Sequence, residues 1–242
     1  MRTVWVFGDQ LNRRIGALAD ADPSRDRILL VESQAMIEGR PYHRQRLHFV
    51  IAAMRRFALE LEEHGFEVDL RRAPSLSAGL EGHLTDHKPD EVVATEPNSP
   101  KILRLVENAG VTTVPSNQFL CHRSAFAEWA GDRDNLRLED FYRWQRRRLG
   151  YLMDGDEPAG GRWNFDHDNR EPPPADGGDW PRPPQSRLDD LDRSVLAELP
   201  DDLPGADPVG WWATSRRAAL ARLDHFVKQV LPGFGPHEDA ML

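Results

Sequence analysis

The chain has 242 residues, of which 39% are hydrophobic, enough for one sizeable core and a smaller appendage. Its single cysteine, Cys121, excludes a disulfide framework and any metal or iron-sulfur site built from cysteines of this chain alone. The formal net charge of -9 argues against non-specific coating of nucleic acid. We find neither a long apolar run nor a basic-then-apolar leader, which predicts a cytoplasmic protein without a membrane partner.

The first predicted element is a strand at residues 3–7 that runs into a short polar turn. Its last four residues form a continuous apolar run, typical of a strand buried on both faces of a parallel sheet. Gly8, Asp9 and Gln10 follow, and such sheets bind ligands beyond the carboxyl ends of their strands. The turn is therefore a candidate binding site. The alternative is that Gly8 only forms the turn and Asp9 caps it.

Strand-like and helix-like segments alternate through residues 1–115. This alternation predicts an α/β fold with a five-stranded, doubly wound parallel sheet and right-handed connections. The predicted strands cover residues 3–7, 27–32, 67–72, 91–95 and 111–115. Glu32 ends the second strand and is a further candidate ligand; the alternative is a carboxylate that caps nearby backbone amides. The sequence contains neither G-x-G-x-x-G nor G-x-x-x-x-G-K-[ST], so the usual dinucleotide and P-loop sites are unsupported.

Three helices are predicted between these strands, over residues 43–64, 75–88 and 101–108, the last closed by Gly110. Residues 43–64 place apolar side chains at three-and-four spacing, which we interpret as a core-facing stripe. Residues 75–88 are also amphipathic and carry His83 and His87, whose spacing suits a shared metal ion. No glutamate follows His83 and no third ligand is evident in the sequence. We therefore interpret both histidines as surface residues and predict no metal site.

The composition changes after the predicted sheet. Residues 123–130 and 139–153 are predicted helices, and the second interleaves aromatic residues with four arginines. Such a face either grips phosphates, docks an acidic domain or, more commonly, is simply solvated. Residues 171–210 hold nine of the 19 prolines and are predicted to form an extended linker. Helical periodicity returns at residues 214–231, as a single helix with no companions to bury its apolar face.

Several blocks of this sequence together resemble one family. They are FYRWQRRRLGYLMDGDEPAGGRWNFDHDNR, GDQL, AAMRRFALEL and FGPHEDAML. They resemble the deoxyribodipyrimidine photolyase-related proteins, the iron-sulfur bacterial branch of the photolyase and cryptochrome superfamily that includes prokaryotic (6-4) photolyases. The resemblance spans essentially the whole chain. It implies an α/β antenna domain at 1–130, a helix and GGRWNFD loop packed on it at 131–170, a linker at 171–213 and the start of an all-helical flavin domain at 214–242.

The resemblance also implies a function. In the intact protein, light harvested by 6,7-dimethyl-8-ribityllumazine excites a reduced flavin, FAD, which donates an electron to a pyrimidine photoproduct in DNA. Family members are about twice this long, so the FAD and 4Fe-4S sites are expected in a missing half or a split-gene partner. This chain is then the antenna half, with no catalytic residue, and damaged DNA is a partner of the complete protein only.

Site residues follow from the resemblance position by position. Those that match the antenna pocket are Gly8, Asp9, Gln10, Leu11, Glu32, His43, Val50 and Met54. The sequence departs from the family pattern in two places. Met36 stands where the family usually has an acid that contacts the chromophore, and residues 98–101, Asn-Ser-Pro-Lys, replace a Gly-acid-aromatic-Arg turn. A stand-alone ligand-binding or interaction module that has lost the light chemistry remains the alternative. An unrelated enzyme on this fold is disfavoured, because no nucleophile and base occur at diagnostic spacing.

Overall fold

A computed structural model describes residues 1–239. The last three residues of the FGPHEDAML block, and of the predicted 214–242 segment, lie outside the described residues. The chain divides into two compact units. Unit 1 comprises Met1–Gln118 and Pro184–Arg222, and unit 2 comprises Phe119–Pro183 and the residues from Leu223 onward.

Unit 1 is built on a five-stranded parallel sheet. The strands are β1 (Arg2–Val6), β2 (Asp26–Ser33), β3 (Glu67–Ala73), β4 (Val92–Thr95) and β5 (Thr112–Val114). Their spatial order is β3-β2-β1-β4-β5, so β1 lies at the centre, with Trp5 paired to Leu29 on one side and Ala94 on the other. The structure confirms the predicted parallel sheet and the interior position of the first strand.

Helices and turns connect the strands, and further helices lie in unit 2 and in the second segment of unit 1. The helices are α1 (Gly16–Ala19), α2 (Gln34–Ile37), α3 (Arg44–Glu63), α4 (Leu76–His87), α5 (Pro100–Asn108), α6 (Arg123–Ala130), α7 (Leu138–Leu149), α8 (Asp190–Glu198), α9 (Arg216–His225) and α10 (Leu231–Phe234). A π-helical turn covers Phe226–Val230, and 3-10 turns cover Ala159–Gly161 and Gly235–His237. Unit 2 also contains a small antiparallel pair, β6 (Met153–Asp154) and β7 (Glu157–Pro158). Within residues 1–239, no helix combines the length and apolarity needed to cross a bilayer.

The two faces of the sheet carry two separate hydrophobic clusters. Alternate residues of a strand point to opposite faces, so Val4 and Val6 pack with the apolar stripe of α3, whereas Trp5 and Phe7 pack with residues of α4 and α5. This two-sided burial explains why residues 4–7 form a continuous apolar run rather than an alternating one.

Helix α8 corrects the prediction of an extended linker at residues 171–210 for the part that it covers, Asp190–Glu198. Asp189 caps the helix by accepting from the Asp192 amide, while the Asp192 side chain accepts from the Asp189 amide, a reciprocal capping box. Val195 is fully buried in a third cluster with α3 residues. Arg56 of α3 donates to both aspartates. Ion pairs and apolar contacts with α3 therefore fold a segment whose composition alone is typical of a linker.

Helix α7 ends at Leu149, four residues before the predicted end at Met153. Gly150 adopts a left-handed conformation, with φ 68°, at the carboxyl end of the helix. Glycine reaches such angles without steric cost and is therefore a common helix stop. Met153 consequently falls in β6 rather than in the helix.

Candidate functional site

A cavity of about 310 Å³ opens beyond the carboxyl ends of the central strands in unit 1. Its walls come from the ends of β1 and β2, from one face of α3 and from the segment after β4. The apolar part of the lining consists of Phe7, Val31, Met36, Ile37, Leu47, Val50, Ile51, Met54, Leu76, Pro97 and Ile102. The polar part consists of Asp9, Glu32, Ser33, Arg46, Asn98 and Ser99, and Gly8 and Tyr42 complete the lining. Its volume and mixed lining are those of a small-molecule site.

Gly8 brings the first turn close to α3. A Cβ atom at this position would lie 3.0 Å from Met54 Sδ and 3.4 Å from Val50 Cγ1, closer than ordinary van der Waals contact at the sulfur. Any larger side chain would therefore project into the wall that Val50 and Met54 form. The missing side chain of Gly8 keeps this part of the cavity open, a role beyond that of making a turn.

Asp9 sits at the rim of the cavity in a hydrogen-bonded network. Asn98 donates from Nδ2 to Asp9 Oδ2 at 3.0 Å and to Gln118 Oε1 at 3.2 Å, and Gln118 donates to the backbone oxygen of Asp9. These bonds fix the orientation of the carboxylate while leaving lone pairs free. Asp9 can therefore accept hydrogen bonds from a ligand hydroxyl.

Glu32 is more heavily engaged than its strand-end position suggests. Arg55 donates to its two carboxylate oxygens, at 2.7 and 3.0 Å, and Arg72 Nε lies 3.2 Å from Oε2. Both arginines also contact Glu198 of α8. The hydrogen bonds that Arg55 donates to Glu32 raise the pKa of Arg55 above its ordinary value despite burial, and Glu198 adds to the effect. Each carboxylate oxygen accepts about two hydrogen bonds, so Oε1 retains capacity for a ligand.

Three predicted site residues lie outside the cavity lining. Gln10 is buried, but its amide donates to the backbone oxygens of Thr95 and Glu96, each at 3.2 Å, so it ties the turn after β1 to the end of β4. Leu11 packs against the core cluster on the α3 side of the sheet. His43 caps α3 by accepting from the Gln45 amide at 3.2 Å. The structure thus brings together Gly8, Asp9, Glu32, Val50 and Met54.

Tyr42 and Arg46 are cavity residues that sequence reasoning missed. The Arg46 guanidinium lies over the Tyr42 ring, 4.9 Å from its centre. Arg46 precedes Val50 and Met54 by four and eight residues, so all three share one helix face, and this spacing was the available signal. Tyr42 lies before the helix, where no periodicity identifies it. Together they place an aromatic ring and a positive charge at the cavity.

Unit 2 contains a separate cluster of arginines and aromatic rings. Arg143, Arg146 and Arg147 place their guanidinium carbons 4.6 to 5.4 Å from the centre of the Trp163 ring. Arg146 is buried and donates to the backbone oxygens of Trp163 and Leu152. For Arg146, this corrects the interpretation of the α7 arginines as a solvated face. The Arg146 side chain fixes the GGRWNFD loop through these hydrogen bonds, and the loop borders a second cavity of about 680 Å³.

The structure corrects the interpretation of His83 on α4 as a surface residue, whereas His87 is partly exposed. His83 is completely buried, and its Nδ1 lies 2.6 Å from Asp69 Oδ2, while His87 Nε2 lies 3.2 Å from the same oxygen. Asp69 belongs to β3, the strand before α4. A potential third ligand is thus present, but it comes from another element and does not follow the helical spacing.

The fold and the cavity define a class: an α/β domain with a cavity of small-molecule size at the carboxyl ends of a parallel sheet. The family model for deoxyribodipyrimidine photo-lyase-related proteins matches residues 4–206, and this chain belongs to that family. The chain is also 32% identical over 255 aligned positions to a (6-4) photolyase of Agrobacterium fabrum. That alignment covers 99% of the chain and 50% of the relative, so the chain spans about half the length of the curated relative it matches.

Proposed function

We propose that this chain is the antenna-binding portion of a light-driven photolyase or cryptochrome-type protein and holds 6,7-dimethyl-8-ribityllumazine in the unit 1 cavity. The observation that carries the proposal is the cavity itself, which joins an apolar wall to a polar rim beyond β1 and β2. A lumazine has the same two parts, a flat heterocycle and a polyhydroxylated chain. When bound, it absorbs light and passes the excitation energy to an acceptor.

The lining residues suit each part of such a ligand. Val50, Met54 and Ile102 offer apolar surface for a flat ring system. Asp9 and Ser33 offer oxygen acceptors for ribityl hydroxyls, and Glu32 Oε1 retains acceptor capacity. Arg46 supplies a cation that would complement a carbonyl oxygen of the heterocycle. The residues present therefore fit the group.

Binding is tested by titrating 6,7-dimethyl-8-ribityllumazine into the purified chain and following its absorption and fluorescence. Gly8→Val should weaken binding at least about tenfold, because its side chain would enter the wall formed by Val50 and Met54. Gly233→Val is the matched control, since a Cβ at Gly233 meets nothing within 4 Å. Equal affinities for both variants and the parent chain would place the ligand elsewhere. Thermal melting of both variants checks that the fold persists.

A second candidate is a stand-alone small-ligand-binding or interaction module that has lost the light chemistry. Met36 and Asn98 favour it, because both line the cavity at positions where the family pattern differs. No lumazine binding by the parent chain, with an intact fold, would support this candidate. An absorption spectrum of the chain purified from cells that make lumazine would give independent evidence.

We also propose that FAD, a 4Fe-4S cluster and damaged DNA belong to a flavin-binding half supplied by a longer or second chain. A four-thiolate cluster does not fit this sequence, which contains one cysteine. Exposed apolar side chains from α9 onward support association with such a half; they are Leu220, Leu223, Phe226, Val227, Leu231 and Phe234. The isolated chain, given flavin, reductant, blue light and DNA with a (6-4) photoproduct, should show no repair. Co-expression of the other half should restore it.

A further inference from the structure

Asp69, His83 and His87 form a compact cluster of metal-ligating side chains in unit 1. Their ligand atoms all lie within 4.8 Å of one another. The His83 side chain is fully buried, and the Asp69 and His87 side chains are 15% and 29% exposed. None of the three residues lines the cavity beyond β1 and β2. The cluster is therefore a site distinct from the proposed lumazine pocket.

We propose that this cluster binds one Zn²⁺ ion through an Asp-His-His ligand set. Residues four apart lie on one face of a helix, so α4 presents both imidazoles to the β3 carboxylate. In a tetrahedral zinc site with bonds of about 2.0–2.1 Å, neighbouring ligand atoms lie about 3.3 Å apart. Asp69 Oδ2 and His87 Nε2 are already 3.2 Å apart. The 2.6 Å pair of Asp69 Oδ2 and His83 Nδ1 opens slightly to admit the ion.

The surroundings of the cluster have the features of a supporting shell. His83 Nε2 lies 2.8 Å from Thr3 Oγ1, a contact that can orient the ring with Nδ1 toward the ion. Arg71 donates to Asp69 Oδ2 at 2.5 Å and to Asp86 Oδ2 at 2.7 Å, so the ligating carboxylate is held in place. Zinc-binding histidines and carboxylates in proteins are commonly fixed in this way by a second partner.

The donor set selects the class of metal. Two imidazoles and one carboxylate suit Zn²⁺ and neighbouring transition metals, whereas Mg²⁺ and Ca²⁺ prefer oxygen ligands only. When Nδ1 of the neutral His83 imidazole binds the ion, the ring proton is carried on Nε2, where Thr3 Oγ1 can accept it. The partly exposed side of His87 leaves space for a water molecule as the fourth ligand. The bound ion would join β3, an edge strand, to α4.

The test titrates ZnCl₂ into the untagged, full 242-residue chain by calorimetry in competition with a chelator of known affinity. One ion should bind per chain. His87→Gln should weaken this binding at least about a hundredfold, because it removes a ligand at a partly exposed position where the fold tolerates the change. His64→Gln is the matched control, because His64 is exposed at the end of α3. The zinc affinity of this variant should equal that of the parent chain. Thr3→Val should cost about 10–100-fold in affinity through loss of the His83 partner.

Two further measurements separate a built site from adventitious zinc on surface histidines. Co²⁺ substitution should give the intense visible bands of a tetrahedral site in the parent chain and in His64→Gln, but not in His87→Gln. Zinc should also raise the melting temperature of the parent chain and leave that of His87→Gln unchanged. Equal zinc affinity of the parent chain and His87→Gln, or octahedral Co²⁺ spectra in both, would overturn the proposal. The cluster would then be a hydrogen-bonded network without a metal.

Discussion

Replacing Glu32 by glutamine tests whether this carboxylate is mainly a structural bridge. Its side chain is 4% exposed and receives three guanidinium contacts, from Arg55 at 2.7 and 3.0 Å and from Arg72 at 3.2 Å. Glu32→Gln keeps the shape of the side chain and one acceptor oxygen, but it removes the charge and turns the second oxygen into a donor. An amide N–H would then face a guanidinium N–H, which is repulsive.

The size of the stability loss depends on the hydrogen-bond partners that remain after the substitution. A hydrogen bond to a charged group contributes about 1.5–3 kcal/mol, and breaking a buried ion pair costs about 3–5 kcal/mol. Glu198 continues to accept from Arg55 and Arg72, which limits the loss. We therefore expect Glu32→Gln to lower the free energy of unfolding of unit 1 by about 2–3 kcal/mol.

Native-state hydrogen exchange of the buried β2 amides as a function of urea measures this free energy for the sheet itself. Glu38→Gln is the matched control, because Glu38 is exposed and accepts a hydrogen bond from Gln34 at 2.9 Å. The control should change stability by less than about 0.5 kcal/mol. A Glu32→Gln effect no larger than the control would refute the bridging argument. Glu32 would then be free to serve chiefly as a ligand-binding residue.

Four further changes test other parts of the structure. Arg146→Met should destabilise unit 2 by about 2–4 kcal/mol, since it leaves two backbone carbonyls without their donor; proteolysis of unit 2 measures the loss. Arg147→Glu should weaken association with a supplied flavin half in a pull-down, yet leave the exchange of the sheet amides unchanged, because Arg147 is exposed. Val195→Ala should cost about 1.5–3 kcal/mol at a fully buried position, measured by exchange of the α8 amides; a smaller loss would show that α8 is weakly docked. Burial lowers the pKa of the His48 imidazole below its ordinary 6.5, and this effect outweighs the nearby Asp192 carboxylate, which raises it. As the pH drops below about 6.5, the imidazole therefore binds a proton more readily in the unfolded chain than in the folded one, and the free energy of unfolding should fall. His48→Asn should flatten that part of the curve of stability against pH.

The sheet was predictable because burial on both faces leaves a strong local signal. The first two strands each contain a continuous apolar run, at residues 4–6 and 28–31, and a glycine or a polar residue follows within two positions of each run. The cavity was predictable in outline for the same reason, since parallel strands deliver their carboxyl ends to one edge. Local sequence does not encode side-chain direction at a turn. Gln10 therefore points toward β4 rather than into the cavity.

The missed features depend on partners that are distant in the chain. Helix α8 has weak intrinsic signals in a proline-rich segment, and it is held by Arg56, 133 residues before Asp189. Its capping pair, Asp189 and Asp192, was visible but uses aspartate where the usual signature has glutamate or glutamine. His83 is buried because Asp69 and Thr3 supply polar partners for both ring nitrogens. A histidine with such partners can occupy a core position that periodicity assigns to apolar residues.

The discontinuity of unit 1 has a consequence for how the protein is made. Its sheet is complete at residue 118, but α8 follows about 70 residues later, after most of unit 2. Ribosomes add about 5–20 residues per second, so after the sheet is complete Leu47 and Ile51 remain uncovered for roughly 4–14 seconds until α8 is synthesised. During that interval the nascent chain exposes an apolar helix face that the finished protein hides. A chaperone that recognises such faces should therefore bind nascent chains between the synthesis of β5 and of α8, and release them once α8 docks.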